Sequence, residues 1–226
     1  MKTLNIKLLV TSLAIIIDLK RKSRGMCKIL FVADTHNRLR QAEYYHLSGD
    51  YDAIISLGDV SYEDYMVIKK IWSGVPIYGV LGNHEDINTL TRARITPLQD
   101  RVIRIGDLTF TGMNGSFSYK STGTGTLLLQ EESRMVAEYL PHADVFITHS
   151  NAYEWSRGKS KKHYDKKSTH EGLLGIRDYI RRNHCRIHIH GHLHEDYTKK
   201  HLFYKEVCIY GFKEAIIEGK DIKIVR

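Results

Sequence analysis

Short apolar runs rich in β-branched residues alternate along this chain with stretches whose apolar positions recur at helical spacing. The runs Lys28–Ala33, Ala53–Leu57, Pro76–Val80, Val102–Ile105, Leu108–Thr111, Asp144–Thr148 and Arg186–His190 read as strands. The amphipathic stretches Leu39–His46, Tyr62–Trp72, Gln130–Leu140 and Glu171–Arg182 read as helices. Gly106-Asp107 separates two of the strand runs and predicts a tight hairpin turn. From Phe203 to Val225 the pattern alternates as two or three antiparallel strands would, with a turn at Glu218-Gly219-Lys220. Strands interleaved with helices predict an α/β domain.

The bulk properties narrow this picture without changing it. At 226 residues, with 42% hydrophobic and 27% charged residues and 3 Pro, the chain is the size of one domain and can bury a core unaided. Cys27, Cys185 and Cys208 are far apart with no CxxC, which predicts reduced thiols in a reducing, cytoplasmic compartment and no disulfide framework. Leu8 to Ile17 is a largely apolar run flanked by basic residues. It has about half the length that a membrane-spanning helix requires, and no small-x-small cleavage site follows it. The reading is therefore an N-terminal extension over residues 1–25, with weak membrane association as a second role, and a functional domain over residues 26–226. No stable membrane span is expected, and no signal for oligomeric state is evident.

A net charge of +8 favours anionic partners but does not choose among phosphates, nucleic acid and acidic membranes. Two loops stand out. Gly112 to Thr126 is rich in Gly, Ser and Thr, and Ser150 to Thr169 carries Arg157, Lys159, Lys161, Lys162, Lys166 and Lys167 against Asp165. Long loops in compact domains are often functional; the competing reading is solvated surface.

The chemistry lies where the polar residues interrupt this pattern. The first strand runs into Asp34-Thr35-His36, the second into Gly58-Asp59, and the third into Gly82-Asn83-His84-Glu85. Later strands run into Thr148-His149 and Gly191-His192-Leu193-His194. Singly, each has an ordinary explanation: Asp59 as a helix N-cap, Gly82-Asn83 as a turn, His149 as a core histidine. Jointly they place imidazoles and carboxylates beyond the carboxyl ends of strands, where ligands bind in open α/β sheets. Mixed nitrogen and oxygen donors suit Mn, Fe or Zn rather than Mg or Ca. Seven such donors are too many for one ion and suit two.

In order and spacing these blocks resemble the calcineurin-like metallophosphoesterases, and the chain is similar to small bacterial or phage-type members of that family. The resemblance implies an α/β fold: a four-layer α/β/β/α sandwich of two mixed sheets flanked by helices. It implies that Asp34, His36 and His194 hold one divalent ion, that Asn83, His149 and His192 hold a second, and that Asp59 bridges them. Manganese is the first choice, with Fe and Zn as alternatives. It further implies a phosphodiester or phosphomonoester substrate, attack by a hydroxide generated on the ions, and His84 over the phosphate, stabilising charge or protonating the leaving oxygen. Glu85 and His190 are candidates for orienting the ligating imidazoles. Leu81 stands where the Ser/Thr protein phosphatases of the superfamily carry Arg, and Val60-Ser61-Tyr62 lacks their Asp-Arg-Gly continuation, which argues against protein phosphatase activity. A nuclease of the same fold, acting on DNA or RNA through the basic loop, is the main alternative. A non-catalytic protein-binding scaffold ranks below it because His84 is present.

Overall fold

Two six-stranded sheets face each other across one apolar layer. The computed structural model describes residues 26–38, 49–118, 126–153 and 170–225. In chain order the described strands are β1 (Cys27–Ala33), β2 (Ala53–Ser56), β3 (Ile77–Gly79), β4 (Thr96–Pro97), β5 (Ile103–Ile105), β6 (Leu108–Met113), β7 (Ser116–Phe117), β8 (Leu127–Leu128), β9 (Val145–Thr148), β10 (Ile187–His190), β11 (Tyr197–Lys200), β12 (Lys205–Cys208), β13 (Gly211–Glu218) and β14 (Asp221–Ile224). The described helices are α1 (Tyr62–Ile71), α2 (Thr89–Arg92), α3 (Gln130–Tyr139) and α4 (Leu174–Arg182).

The first sheet has the order β14-β13-β1-β2-β3-β4 and the second β11-β12-β10-β9-β6-β5; β7 and β8 form a small parallel pair. Both large sheets are mixed. In the first, β1, β2, β3 and β4 run parallel, and β13 and β14 close one side antiparallel. In the second, β6, β9, β10 and β12 run parallel between antiparallel edges β5 and β11.

Three apolar clusters follow from side-chain alternation along the strands. Ile29, Phe31, Ile55, Phe110, Ile147 and Ile189 meet between the sheets. Leu30, Val32 and Ile54, on the outer face of the first sheet, pack with Tyr65 and Ile68 of α1 and Leu90 of α2. Phe146, on the outer face of the second sheet, packs with Ala137 of α3 and with Ile176, Tyr179 and Ile180 of α4; the Phe146 and Tyr179 rings stack at 3.9 Å. Strands buried on both faces explain why the parallel runs are continuously apolar.

The predicted strands each appear, within a residue or two of their expected ends. The hairpin at residues 106–107 joins β5 to β6. Helix α4 begins at Leu174 rather than at Glu171, because Leu173 is held extended in a parallel bridge to Ala152. The tail departs from expectation. Lys205–Cys208 does not pair with the strands that follow it but lies parallel to β10 in the second sheet, and the chain then crosses to build β13 and β14 in the first. Alternation marks a strand and does not name its partner. Part of the Gly112–Thr126 loop is also structured, since β6 extends to Met113 and β7 pairs with β8. The predicted helix Leu39–His46, the extension 1–25 and most of the basic loop lie outside the described residues. Among the described residues, no helix is long and apolar enough to cross a membrane. None of the three cysteines is in a disulfide; Cys185 and Cys208 are buried and Cys27 partly so.

Candidate metal centre

The carboxyl ends of β1, β2, β3, β9 and β10 point to one edge, and the two sheets are stitched together there. From the first sheet, Asp34 N donates to Gly58 O at 3.1 Å and His36 N to Asp59 O at 3.1 Å. From the second, Gly191 N donates to His149 O at 3.1 Å. Among the bonds that cross between sheets, His192 N donates to Asp34 Oδ2 at 3.0 Å, and His149 Nδ1 meets Leu57 O at 2.9 Å. The carbonyl can only accept, so His149 Nδ1 carries the hydrogen and Nε2 faces the edge.

The backbone turns sharply at these positions. Asp34 (φ 54°), His36 (φ 48°), Asp59 (φ 54°), His192 (φ 70°) and His194 (φ 54°) all occupy the left-handed region. Such conformations are uncommon outside Gly and cluster at functional sites. Gly58 has φ 95°, and a Cβ there would lie 2.6 Å from Gly82 N and 2.8 Å from His149 Nδ1. A Cβ on Gly82 would lie 2.1 Å from Asp59 Oδ1. The two glycines let the β2 and β3 loops close over each other.

All seven residues expected as metal ligands meet at this edge. His36 Nε2 and His194 Nε2 are 3.2 Å apart, and His194 Nε2 lies 3.6 Å from Asp34 Oδ1. His149 Nε2 is 3.1 Å from Asn83 Oδ1 and 3.1 Å from His192 Nδ1. Asp59 Oδ2 stands between the two groups, 3.4 Å from His149 Nε2 and 3.9 Å from His36 Nδ1. Asp34, His36 and His194 form one cluster of metal-donor atoms, and Asp34, Asp59 and His149 form another that shares Asp34 with it. His84 is exposed beside them, its ring 5.3 Å from that of His36, with its backbone N–H donating to Asp59 Oδ1 at 2.9 Å.

Metal ions fit this donor set. Asp34 Oδ1 is buried with no hydrogen-bond partner among the described residues, a costly state for a carboxylate oxygen. In two places imidazole nitrogens face each other at hydrogen-bond distance, and two lone pairs repel unless a proton or a cation lies between them. Electrostatics push the two carboxylates apart. Burial, with the charge of Asp59 adding, raises the Asp34 pKa against the pull of His149 and His194. Burial alone would also raise Asp59, but the charge and hydrogen bond of His149 and the His84 amide hold it well below the usual carboxylate range. Burial works against a charge on His149, yet Asp59 and Asp34 raise it to about 9. Burial lowers His36.

Several supporting residues were not evident from the sequence. Asp64, buried in the first turn of α1, accepts from Thr35 Oγ1 at 2.6 Å and from Asn37 N at 2.9 Å, and so braces the Asp34–His36 turn. The N-cap of α1 is Ser61, whose Oγ accepts from Asp64 N at 3.1 Å, which leaves Asp59 free of the capping role. His170 packs its ring 5.0 Å from His192, and Tyr210 packs 5.1 Å from His194. An Asp three residues after a Ser at the start of a helical stretch was the available signal for the first; the ring contacts had none. Among the described residues, Glu85 hydrogen-bonds to backbone rather than to an imidazole. Its Oε2 accepts from Asp59 N at 2.8 Å and Gly82 N at 2.5 Å and ties the two loops together; burial, with the charge of Asp59 adding, raises its pKa to about 7. His190 faces the opposite way, toward Glu206.

A model described as the calcineurin-like phosphoesterase superfamily domain matches residues 27–209. Among solved structures, the protein TT1561 of Thermus thermophilus superposes with a TM-score of 0.61 at 13% identity, covering 89% of this chain and 99% of that one. The phosphopantetheinyl hydrolase PptH of Mycobacterium tuberculosis superposes with a TM-score of 0.57 at 14% identity, covering 83% of this chain and 91% of that one. At such identities the likeness is one of fold. A comparison with curated proteins finds no match.

Proposed function

The chain belongs to the calcineurin-like phosphoesterase superfamily, and on that premise we propose that it hydrolyses phosphate esters with the help of two divalent metal ions. The observation that carries this reading is Asp59 Oδ2, which approaches His149 from one donor group and His36 from the other. Asp34, His36 and His194 would hold one ion, Asn83, His149 and His192 the second, and Asp59 would serve both. Such a pair of ions, when bound, neutralises phosphate charge and makes water nucleophilic at neutral pH.

The protein's own contributions follow from the geometry. Leu57 O fixes the ring of His149 with its lone pair toward the site. Glu85 and Gly82 hold the Asp59 loop in its left-handed turn. His84 stands at the exposed rim, anchored through its backbone to Asp59. There its ring N–H can reach an incoming phosphate from the solvent side and give a proton to the leaving oxygen, which departs poorly as an alkoxide. Mn²⁺ is the first choice of ion, and the substrate is a phosphodiester or phosphomonoester.

The test is hydrolysis of paired aryl phosphate mono- and diesters by metal-stripped protein, with Mn²⁺, Zn²⁺, Mg²⁺ or nothing added back. Metal-dependent turnover is expected to fall to background in Asp59→Asn. In His84→Ala it is expected to fall by roughly 10²–10⁴-fold in kcat with metal retained. Turnover that survives chelation, or persists in Asp59→Asn, sinks the proposal. A folded protein inert with every metal would favour the scaffold reading.

A further inference from the structure

A second group of donors lies away from this edge, on the outer face of the second sheet. Along β10, Ile187 and Ile189 enter the layer between the sheets, so His188 and His190 project to the other side. Both are fully buried. The register of β10 with β12 places Glu206, also buried, opposite His188. One ring nitrogen of each histidine and one carboxylate oxygen of Glu206 lie within 4.8 Å of one another.

The tautomers can be worked out from their partners. Thr148 Oγ1 lies 2.6 Å from Ser150 O and 2.8 Å from His188 Nε2. A hydroxyl has one hydrogen, and the carbonyl can only accept it. Thr148 therefore accepts from His188 Nε2–H, which leaves His188 Nδ1 as a lone pair. That nitrogen is buried with no hydrogen-bond partner among the described residues. His190 Nδ1 donates to Gly191 O at 2.9 Å, so its Nε2 is the nitrogen turned to the cluster. There it lies 3.2 Å from Glu206 Oε1 and 3.3 Å from the Tyr197 hydroxyl. Each imidazole thus spends one nitrogen on an oxygen and keeps the other as a lone pair, the arrangement that prepares histidines for a metal. A hydrogen-bonded network alone accounts for His190, Glu206, Tyr197 and His201, whose Nε2 is 2.5 Å from Glu206 Oε2. It leaves His188 Nδ1 without a purpose.

We infer that His188 Nδ1, His190 Nε2 and Glu206 form a further site for one divalent ion of the zinc class, with the Tyr197 hydroxyl beside it. Two imidazoles and one carboxylate are a donor set that such ions accept. His201 and Tyr197 are the partly exposed members of the group. The site shares no residue with the edge centre, so the two readings stand or fall separately.

The test is metal stoichiometry and position. Metal-stripped full-length protein is loaded with Zn²⁺ or Co²⁺, desalted and analysed for bound metal, in parallel with Glu206→Gln, His188→Gln and Asp59→Asn. Glu206→Gln and His188→Gln are each expected to lose one equivalent relative to the parent. Asp59→Asn is expected to retain that equivalent, with a Co²⁺ visible spectrum that disappears when Glu206→Gln is added. Anomalous scattering at the zinc edge from crystals of the parent chain provides a measurement that does not depend on the variants folding. A peak bonded to His188, His190 and Glu206 is expected. Equal retention in folded Glu206→Gln and His188→Gln, or zinc peaks confined to the Asp59 edge, would overturn the site and leave a hydrogen-bonded brace.

Discussion

At the scale of single residues, His149 shows how the edge is prepared for an ion. Its Nδ1–H is committed to Leu57 O, and its Nε2 looks toward Asp59, Asn83 and His192. Without metal, Asp59 and Asp34 overcome the burial penalty and raise the His149 pKa to about 9, so the ring is protonated at neutral pH. A ligating histidine must be neutral, and the ion therefore competes with that proton. The sign follows: below about pH 9 each loaded chain releases a proton from His149, and metal affinity rises with pH up to that value and then levels off. Calorimetric titration with Mn²⁺ at about pH 7.5, in buffers of different ionisation enthalpy, should report proton release that vanishes in His149→Ala. Heats that do not vary with buffer would remove His149 from the ligand set. Glu85 illustrates a different lesson. Its place in the sequence suggested a partner for an imidazole, whereas its carboxylate binds two backbone N–H groups. Backbone donors exposed by a tight turn leave no mark in the amino-acid pattern.

At the scale of elements, strands end and turn at once, and the first turn of α1 supports one of those turns. Ser61 caps α1, and Asp64 in the same turn holds Thr35 and Asn37 across the gap to β1. Ser61→Ala should therefore do two things. Loss of the cap costs about 1 kcal/mol, which for a chain of this size lowers Tm by roughly 2–4 °C. Because Asp64 loses its anchor, metal affinity should weaken as well, whereas a cap with no link to the site would leave it unchanged. Thermal melts and metal titration of the same variant separate the two. The elements were largely legible because hydrophobic periodicity is a local property: β1, β2, β9 and β10 each appear close to where the apolar runs predicted them. The short strands β4, β7 and β8 and the edge strand β11 escaped because they are two to four residues long and are held by neighbours rather than by their own pattern.

At the scale of the whole molecule, the candidate centre joins the two sheets at the edge where their core layer ends. Asp34 and Asp59 come from the first sheet, and His149 and His192 from the second. An ion held by residues of both would act as a clamp. It binds the folded chain alone, so saturation at about 100 times Kd should add about 2.7 kcal/mol. Chelation should lower Tm and Mn²⁺ should restore it, whereas Asp59→Asn combined with Glu206→Gln, which removes both candidate sites, should melt at one temperature with or without metal. A Tm of the parent chain indifferent to metal would argue that the donors do not share an ion across the sheets.

The division between what was readable and what was not has a physical basis. Residue type and local spacing suffice for the alternation of strands and helices, for the ligand-type residues at Asp34, His36, Asp59, Asn83, His149, His192 and His194, and for the resemblance those blocks carry. Packing in three dimensions is what brings Lys205–Cys208 into the second sheet, Asp64 against the Asp34 turn, Glu85 onto the backbone, and His188 and His190 together with Glu206. These pairings join positions distant along the chain, and they are selected by which faces bury apolar surface together and which polar atoms then need partners.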